Sequence, residues 1–275
     1  MIKFARTVAV ALLTLAFSSA QALAVDPEPV SYQDLWWAGD AENGWGMTIT
    51  QHRDTLFIAF FVYANDGRPV WLVMPGGVWN FEHKAYSGEL FYPAGSPYYG
   101  YDASAFAPGL AVGVARIEFT SASAAKLEVS LNYMTMTKTV SRSVFAPGSP
   151  TKNYTDLWWG GKSQDGWGVA ITQQGEKLFA VWYTYDEIGR PTWFVMPDSS
   201  PCTVASGCVN GGGPGFTGKV YSTRGSAWYG KTYDASQFVA TEAGTMNLQF
   251  GANTATFRTT VNGRSQVQPI ERQGF

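Results

Sequence analysis

The residues best suited to chemistry in this chain come in matched pairs. Trp36/Trp158, Trp37/Trp159, Trp45/Trp167 and Trp71/Trp193 recur at equivalent positions and account for eight of the eleven tryptophans. A tryptophan face offers large, rigid apolar area and a π-surface, which suits sugar rings and flat or apolar molecules. Most of the eight are expected in the core. One of each adjacent Trp-Trp pair is expected to be exposed, because neighbours on a strand point to opposite faces. Arg68 and Arg190 each stand between a glycine and a proline, close to Trp71 or Trp193. A guanidinium there can stack on a ring or grip a carboxylate or sulfate. The competing reading pairs each arginine internally with Asp34/Asp156 or a carbonyl. Trp79, Tyr98, Tyr99, Trp228 and Tyr229 read as unmatched residues in loops, where exposed rings more often bind. The candidate binding set is therefore Trp36, Trp37, Arg68, Trp71, Trp158, Trp159, Arg190, Trp193, Trp228 and Tyr229, for a glycan or a small apolar ligand.

Catalytic patterns are sparse. Of the two histidines, His52 aligns with Gln174 and His83 lies in a loop of different length. A histidine base could thus serve at most one copy of the repeat. Nucleophile elbows, phosphate-cradling glycine loops and His-Glu-x-x-His helices are missing from the sequence. Asp34/Asp156 and Asp102/Asp234 are the acidic positions identical in both copies, and a glycosidase-type carboxylate pair would draw on them. Their structural reading is turn-capping, with Asp102 and Asp234 starting short 3₁₀ turns. Oxygen donors at Asp40, Glu42 and Asn43, or at Ser163, Gln164 and Asp165, are too loosely spaced to specify calcium. The expectation is no catalytic residue, no metal and no cofactor. Cys202 and Cys208, the only cysteines, share one loop and read as a disulfide.

The elements that must position these residues follow from a duplication. Residues 32 to 75 recur at 154 to 197, shifted by 122 without a gap, with 22 of 44 positions identical. Tyr101-Asp102-Ala103-Ser104 recurs as Tyr233-Asp234-Ala235-Ser236, and Arg142 and Phe145 match Arg272 and Phe275. This gives a first domain at 32–145, a Pro/Gly linker at 146–153 and a second domain at 154–275. The loop 198–215, which carries the cysteines, is the main insertion. In the second copy, β-branched and aromatic runs predict strands near 167–174, 177–185, 191–197, 216–223, 244–250, 254–261 and 264–272. The Leu-Trp-Trp segment would add an eighth strand or a plug. Amphipathic helical periods are missing. The predicted class is all-β: two tandem antiparallel meanders, small barrels or barrel-like sandwiches of about seven or eight strands each. In the run 56–63, both faces are apolar, so the strand should be buried on both sides. The two copies are expected to pack through these outer faces as one rigid body.

Residues 1–24 read as a secretory signal: Lys3 and Arg6, an apolar run Thr7–Phe17, then Ala22-Leu23-Ala24 as the cleavage site. No later stretch approaches the roughly 18 apolar residues of a membrane helix. The residues before Phe275 break the alternation of an outer-membrane barrel strand. The net charge of −2, more negative without the signal, argues against nucleic acid or an anionic membrane surface as partner.

The combination Leu-Trp-Trp, Gly-Trp-Gly-Val-Ala-Ile-Thr-Gln-Gln at 166–174 and Tyr-Asp-x-x-Gly-Arg-Pro-Thr-Trp at 185–193 resembles tandem repeats in exported proteins of Gram-negative bacteria. The first copy departs from it at Met47, His52 and Ala64. The resemblance spans nearly the whole chain after the signal and implies secretion, to the periplasm or beyond, and a β-repeat; it carries no activity or site. The meander is also similar to ligand-binding barrels such as lipocalins and avidins at the level of fold only. The function expected is a non-enzymatic, exported binding protein. The alternatives are a structural or protein-interaction module of the envelope or extracellular matrix and a hydrolase with paired carboxylates.

Overall fold

In a computed structural model, residues 30–275 are described. The expected signal, residues 1–24, lies outside them. Runs of β-branched and aromatic residues, cut by Gly, Asn and Asp turns, form strands along the chain. The first set is β1 (Asp34–Trp37), β2 (Gly46–His52), β3 (Thr55–Tyr63), β4 (Pro69–Met74), β5 (Val78–Asn80), β6 (Ala85–Phe91), β7 (Ala111–Phe119), β8 (Ala124–Leu131) and β9 (Met134–Arg142). The second is β10 (Asp156–Trp159), β11 (Gly168–Gln174), β12 (Lys177–Tyr185), β13 (Pro191–Met196), β14 (Ser200–Pro201), β15 (Gly215–Arg224), β16 (Val239–Phe250), β17 (Thr254–Val261) and β18 (Arg264–Arg272).

Each set closes into an antiparallel barrel of eight strands with one extra strand attached. Closure comes from β4 pairing β6, with Val73 opposite Phe91, and from β13 pairing β15, with Val195 opposite Tyr221. Closing the sheet removes the long edges that would otherwise invite pairing with other chains. The Leu-Trp-Trp segment is the eighth strand: β1 joins β2 to β9, and β10 joins β11 to β18. Most predicted strands match within a residue or two. The exception is β16, which starts five residues before the predicted 244. There Gly244 takes φ +152°, and a Cβ would lie 1.7 Å from the Thr260 carbonyl oxygen, so only glycine carries the strand through its irregularity.

The barrel interiors are filled by side chains. Trp36 is buried and donates to the Tyr32 carbonyl, and Trp158 does the same to Tyr154. Arg142 lies over the Trp36 ring and pairs with Asp34; Arg272 lies over Trp158 and pairs with Asp156. The doubly apolar β3 and β12 explain the seam between the barrels. Residues of one parity face inward, and Phe57, Ala59, Phe61 and Tyr63 face the second barrel. Trp71 donates to the carbonyl of Thr184, and Trp193 to that of Val62. Since Val62 and Thr184 are equivalent positions, the contact is reciprocal, like the isologous interface of a two-fold dimer.

The long connections reinforce the seam by exchange. The segment after β6 enters the second barrel: Gly95 N donates to the Gly189 carbonyl, Tyr98 N to Tyr185, and the Tyr98 ring meets Trp182 and Phe194 edge-on. The segment after β15 enters the first: Gly225 N donates to Gly67, Trp228 N to Tyr63, and the Trp228 ring packs on Trp45 and Phe60. Each barrel is thus plugged at one end by an aromatic residue of the other.

Candidate functional site

Two clefts lie along the seam, at equivalent positions. The first, about 300 Å³, has one wall from the outer face of β3 and β4 (Phe57, Ala59, Trp71, Val73) and its neighbours Phe91 and Phe106. Its other wall comes from the second barrel: Leu157, Trp159, Gly166-Trp167-Gly168 and Tyr183. The second cleft, about 360 Å³, exchanges the roles, with Phe179, Trp193, Val195, Tyr221 and Phe238 facing Leu35, Trp37, Gly44, Trp45 and Phe61. These volumes lie at the lower end of the range for small-molecule sites, and the lining is mostly apolar, as such sites are. Few polar groups reach them: Asp165 and Gln273 in the first, Asn43, Ser143 and Thr223 in the second.

The Gly-Trp-Gly motif shapes both clefts. Gly44 (φ +118°) and Gly166 (φ +95°) adopt backbone conformations that favour glycine. A Cβ on Gly44 would meet the Phe238 ring at 2.6 Å, and one on Gly166 the Phe106 ring at 2.2 Å. Phe106 and Phe238 follow the 3₁₀ turns that Asp102 and Asp234 cap through Ser104 N and Ser236 N. The repeated Tyr-Asp-Ala-Ser therefore aims a phenyl ring at the partner barrel's glycine. Tyr63 and Tyr185 donate to the carbonyls of Gly44 and Gly166, and burial pushes both phenols well above their usual range.

The nominated residues divide clearly. Trp37 and Trp159 are half-buried and line the two clefts, one in each, together with Trp71 and Trp193. Trp36 and Trp158, their neighbours on the strand, are fully buried inside the barrels and line neither cleft. Arg68 and Arg190 are not anchors at the clefts, nor do they pair with Asp34 or Asp156. Arg68 bonds the Tyr92 hydroxyl and pairs with Asp66 at 3.3 Å, and Arg190 pairs with Asp186 at 2.7 Å, because the hairpin turn folds each arginine back onto its own acidic residue. Trp228 is 1 % exposed, not a free loop ring, because it plugs the first barrel. Tyr229 beside it bonds the Leu131 and Met134 backbone of that barrel.

The signal for the plugs was present in the sequence. Gly95-Ser96-Pro97-Tyr98-Tyr99-Gly100 is matched by Gly225-Ser226-Ala227-Trp228-Tyr229-Gly230, but the insertion in the 198–215 loop and two further residues, Lys231 and Thr232, shift the alignment. Tyr98, Tyr99, Trp228 and Tyr229 are therefore paired residues.

The matched carboxylates are taken up by structure: Asp34 and Asp156 by arginines, Asp102 and Asp234 by capping. His52, absent from the second copy, contacts Asp156 across the seam at 3.0 Å and stacks on the Phe275 ring. Cys202 and Cys208 form a disulfide within the 198–215 loop. Among the described residues no helix is long and apolar enough to cross a membrane, and no group of three or more His, Cys, Asp or Glu is placed to hold a metal. The disulfide is compatible with an extracellular or periplasmic setting.

No family model, curated protein or solved structure matches this chain.

Proposed function

We propose that this is an exported, non-enzymatic binding protein that holds small apolar ligands in the two clefts between its barrels. The observation that carries the reading is the recurrence of one aromatic-walled cleft at two equivalent places, each built from both copies of the repeat. Apolar molecules gain roughly 25 cal/mol per Å² of surface removed from water, and walls of Trp, Phe and Val provide that surface. With few polar groups in reach, a free glycan would leave many hydroxyls unpaired in either cleft, which favours the apolar ligand over the glycan. The signal-like residues 1–24 and the disulfide support export to the periplasm or beyond.

Titration with an apolar fluorescent probe such as N-phenyl-1-naphthylamine tests this. The expected stoichiometry is two per chain, reduced to one by Trp37→Ala and to one by Trp159→Ala, with the far-ultraviolet circular dichroism unchanged. Lack of saturable binding in the unaltered chain would sink the proposal.

A further inference from the structure

The two clefts differ at one end. The second cleft shares Pro197 and Tyr221 with an adjoining groove of about 400 Å³ lined by Asp198, Ser199, Ser200, Thr217, Lys219 and Thr245. An apolar channel and a polar trough thus run into each other across the Tyr221 ring. The trough carries both signs of charge in pairs: Lys219 Nζ lies 2.7 Å from Glu242, and Lys177 Nζ lies 2.8 Å from Asp198. The equivalent positions beside the first cleft carry different residues. The residues equivalent to Tyr221, Lys219 and Thr217 are Phe91, Glu89 and Ser87, and Gly76 follows Pro75 where Asp198 follows Pro197.

We propose that the second cleft takes a single-chain amphiphile with an uncharged polyhydroxyl head, such as an alkyl glycoside. This rests on the apolar-ligand reading above and extends it for one cleft. The tail lies between Trp37, Phe61 and Trp193; the head lies beyond Tyr221, among the trough's hydroxyls and ion pairs. Paired charges present donors and acceptors side by side with little net charge. That arrangement suits sugar hydroxyls, which both donate and accept, better than a lone anionic or cationic head. Tyr221 offers a ring at the junction on which a sugar face can pack.

The test is calorimetry on the full chain with four probes: dodecyl maltoside and dodecanoate, both below their critical micelle concentrations, dodecanol within its aqueous solubility, and maltose. Dodecyl maltoside is expected to bind at least tenfold more tightly than dodecanol or dodecanoate at one site per chain, and maltose not measurably. Trp37→Ala should abolish the tight site. Thr217→Ala/Lys219→Ala, on exposed or half-exposed positions, should bring dodecyl maltoside down to the affinity of dodecanol and leave dodecanol unchanged. Equal affinity for maltoside and dodecanol, or tighter dodecanoate, overturns the polyol head while leaving the apolar-cleft reading standing. Failure of maltoside and dodecanol alike overturns both.

Discussion

The indole N–H of Trp71 donates to the backbone carbonyl of Thr184 at 2.8 Å, across the seam between the barrels. Its counterpart, Trp193 to Val62, spans 3.2 Å in the opposite sense. Two buried bonds of this kind, with the plugs beside them, make the barrels one mechanical unit. Calorimetry should therefore show a single cooperative unfolding transition for the whole chain. Trp71→Phe removes one buried bond at a cost of about 0.5–1.5 kcal/mol and should keep that single transition. Two resolved transitions in the unaltered chain would show the barrels to be independent.

The plugs should be worth more than the bonds. Trp228→Ala leaves a cavity between Trp45 and Phe60 and should cost roughly 3–5 kcal/mol, read from urea midpoints. Trp228→Tyr, which installs the residue found at the equivalent Tyr98, should recover most of that loss. Equal losses for the two variants would mean that the ring is not needed as a plug.

Glycine substitutions separate backbone strain from close packing. Gly263 (φ +75°) has open space where a Cβ would point, so Gly263→Ala should cost about 1–2 kcal/mol from strain alone. At Gly44 a Cβ would also lie 2.8 Å from the Tyr233 hydroxyl oxygen and still closer to the Phe238 ring. Gly44→Ala should therefore destabilise by distinctly more than Gly263→Ala and weaken binding in the second cleft, which Gly44 lines. The reverse order of stabilities would refute the seating role given to the motif.

Alkaline pH should unfold the protein through its buried phenols. Burial raises Tyr63, Tyr183 and Tyr185, and the Thr48 hydroxyl bonded to Tyr183 offsets this only in part. A raised folded-state pKa means that the unfolded chain gives up its protons first. Stability is therefore at its full value below pH about 10 and falls above it, by roughly 1.4 kcal/mol per pH unit for each such tyrosine. Absorbance at 295 nm during a pH titration should show these phenols ionising only together with unfolding. Tyr183→Phe, which copies Phe61 at the equivalent position, should make the fall less steep. Ionisation of all tyrosines in the still-folded chain would contradict this.

Much of the fold was legible in residue order. The 44-residue repeat is visible by direct comparison of the two halves, and the strand runs with their turns at Asp66-Gly67 and Asn262-Gly263 act within a few residues, so duplication, strands and hairpins follow without reference to distant contacts. The apolar character of both faces of β3 was likewise readable, and with it the need for a covering partner. The carboxylates Asp102 and Asp234 declared themselves as caps because a cap's partner lies two residues away.

Tertiary structure alone decided what those surfaces became. Alternation along Leu-Trp-Trp separates Trp36 from Trp37, but only closure of the barrel determines that Trp36 points inward. Closure pairs β4 with β6, strands separated by β5 and its turns, and nothing local encodes that register. Trp228 illustrates the same limit: its residue type and loop setting point to an exposed binding ring, whereas its burial depends on a cavity made by Trp45 and Phe60, 183 and 168 residues away in the chain. The clefts have no sequence signature of their own, since each wall belongs to a different copy of the repeat. Local preferences set the elements; packing of one duplicated half against the other set which aromatic faces remain open to a ligand.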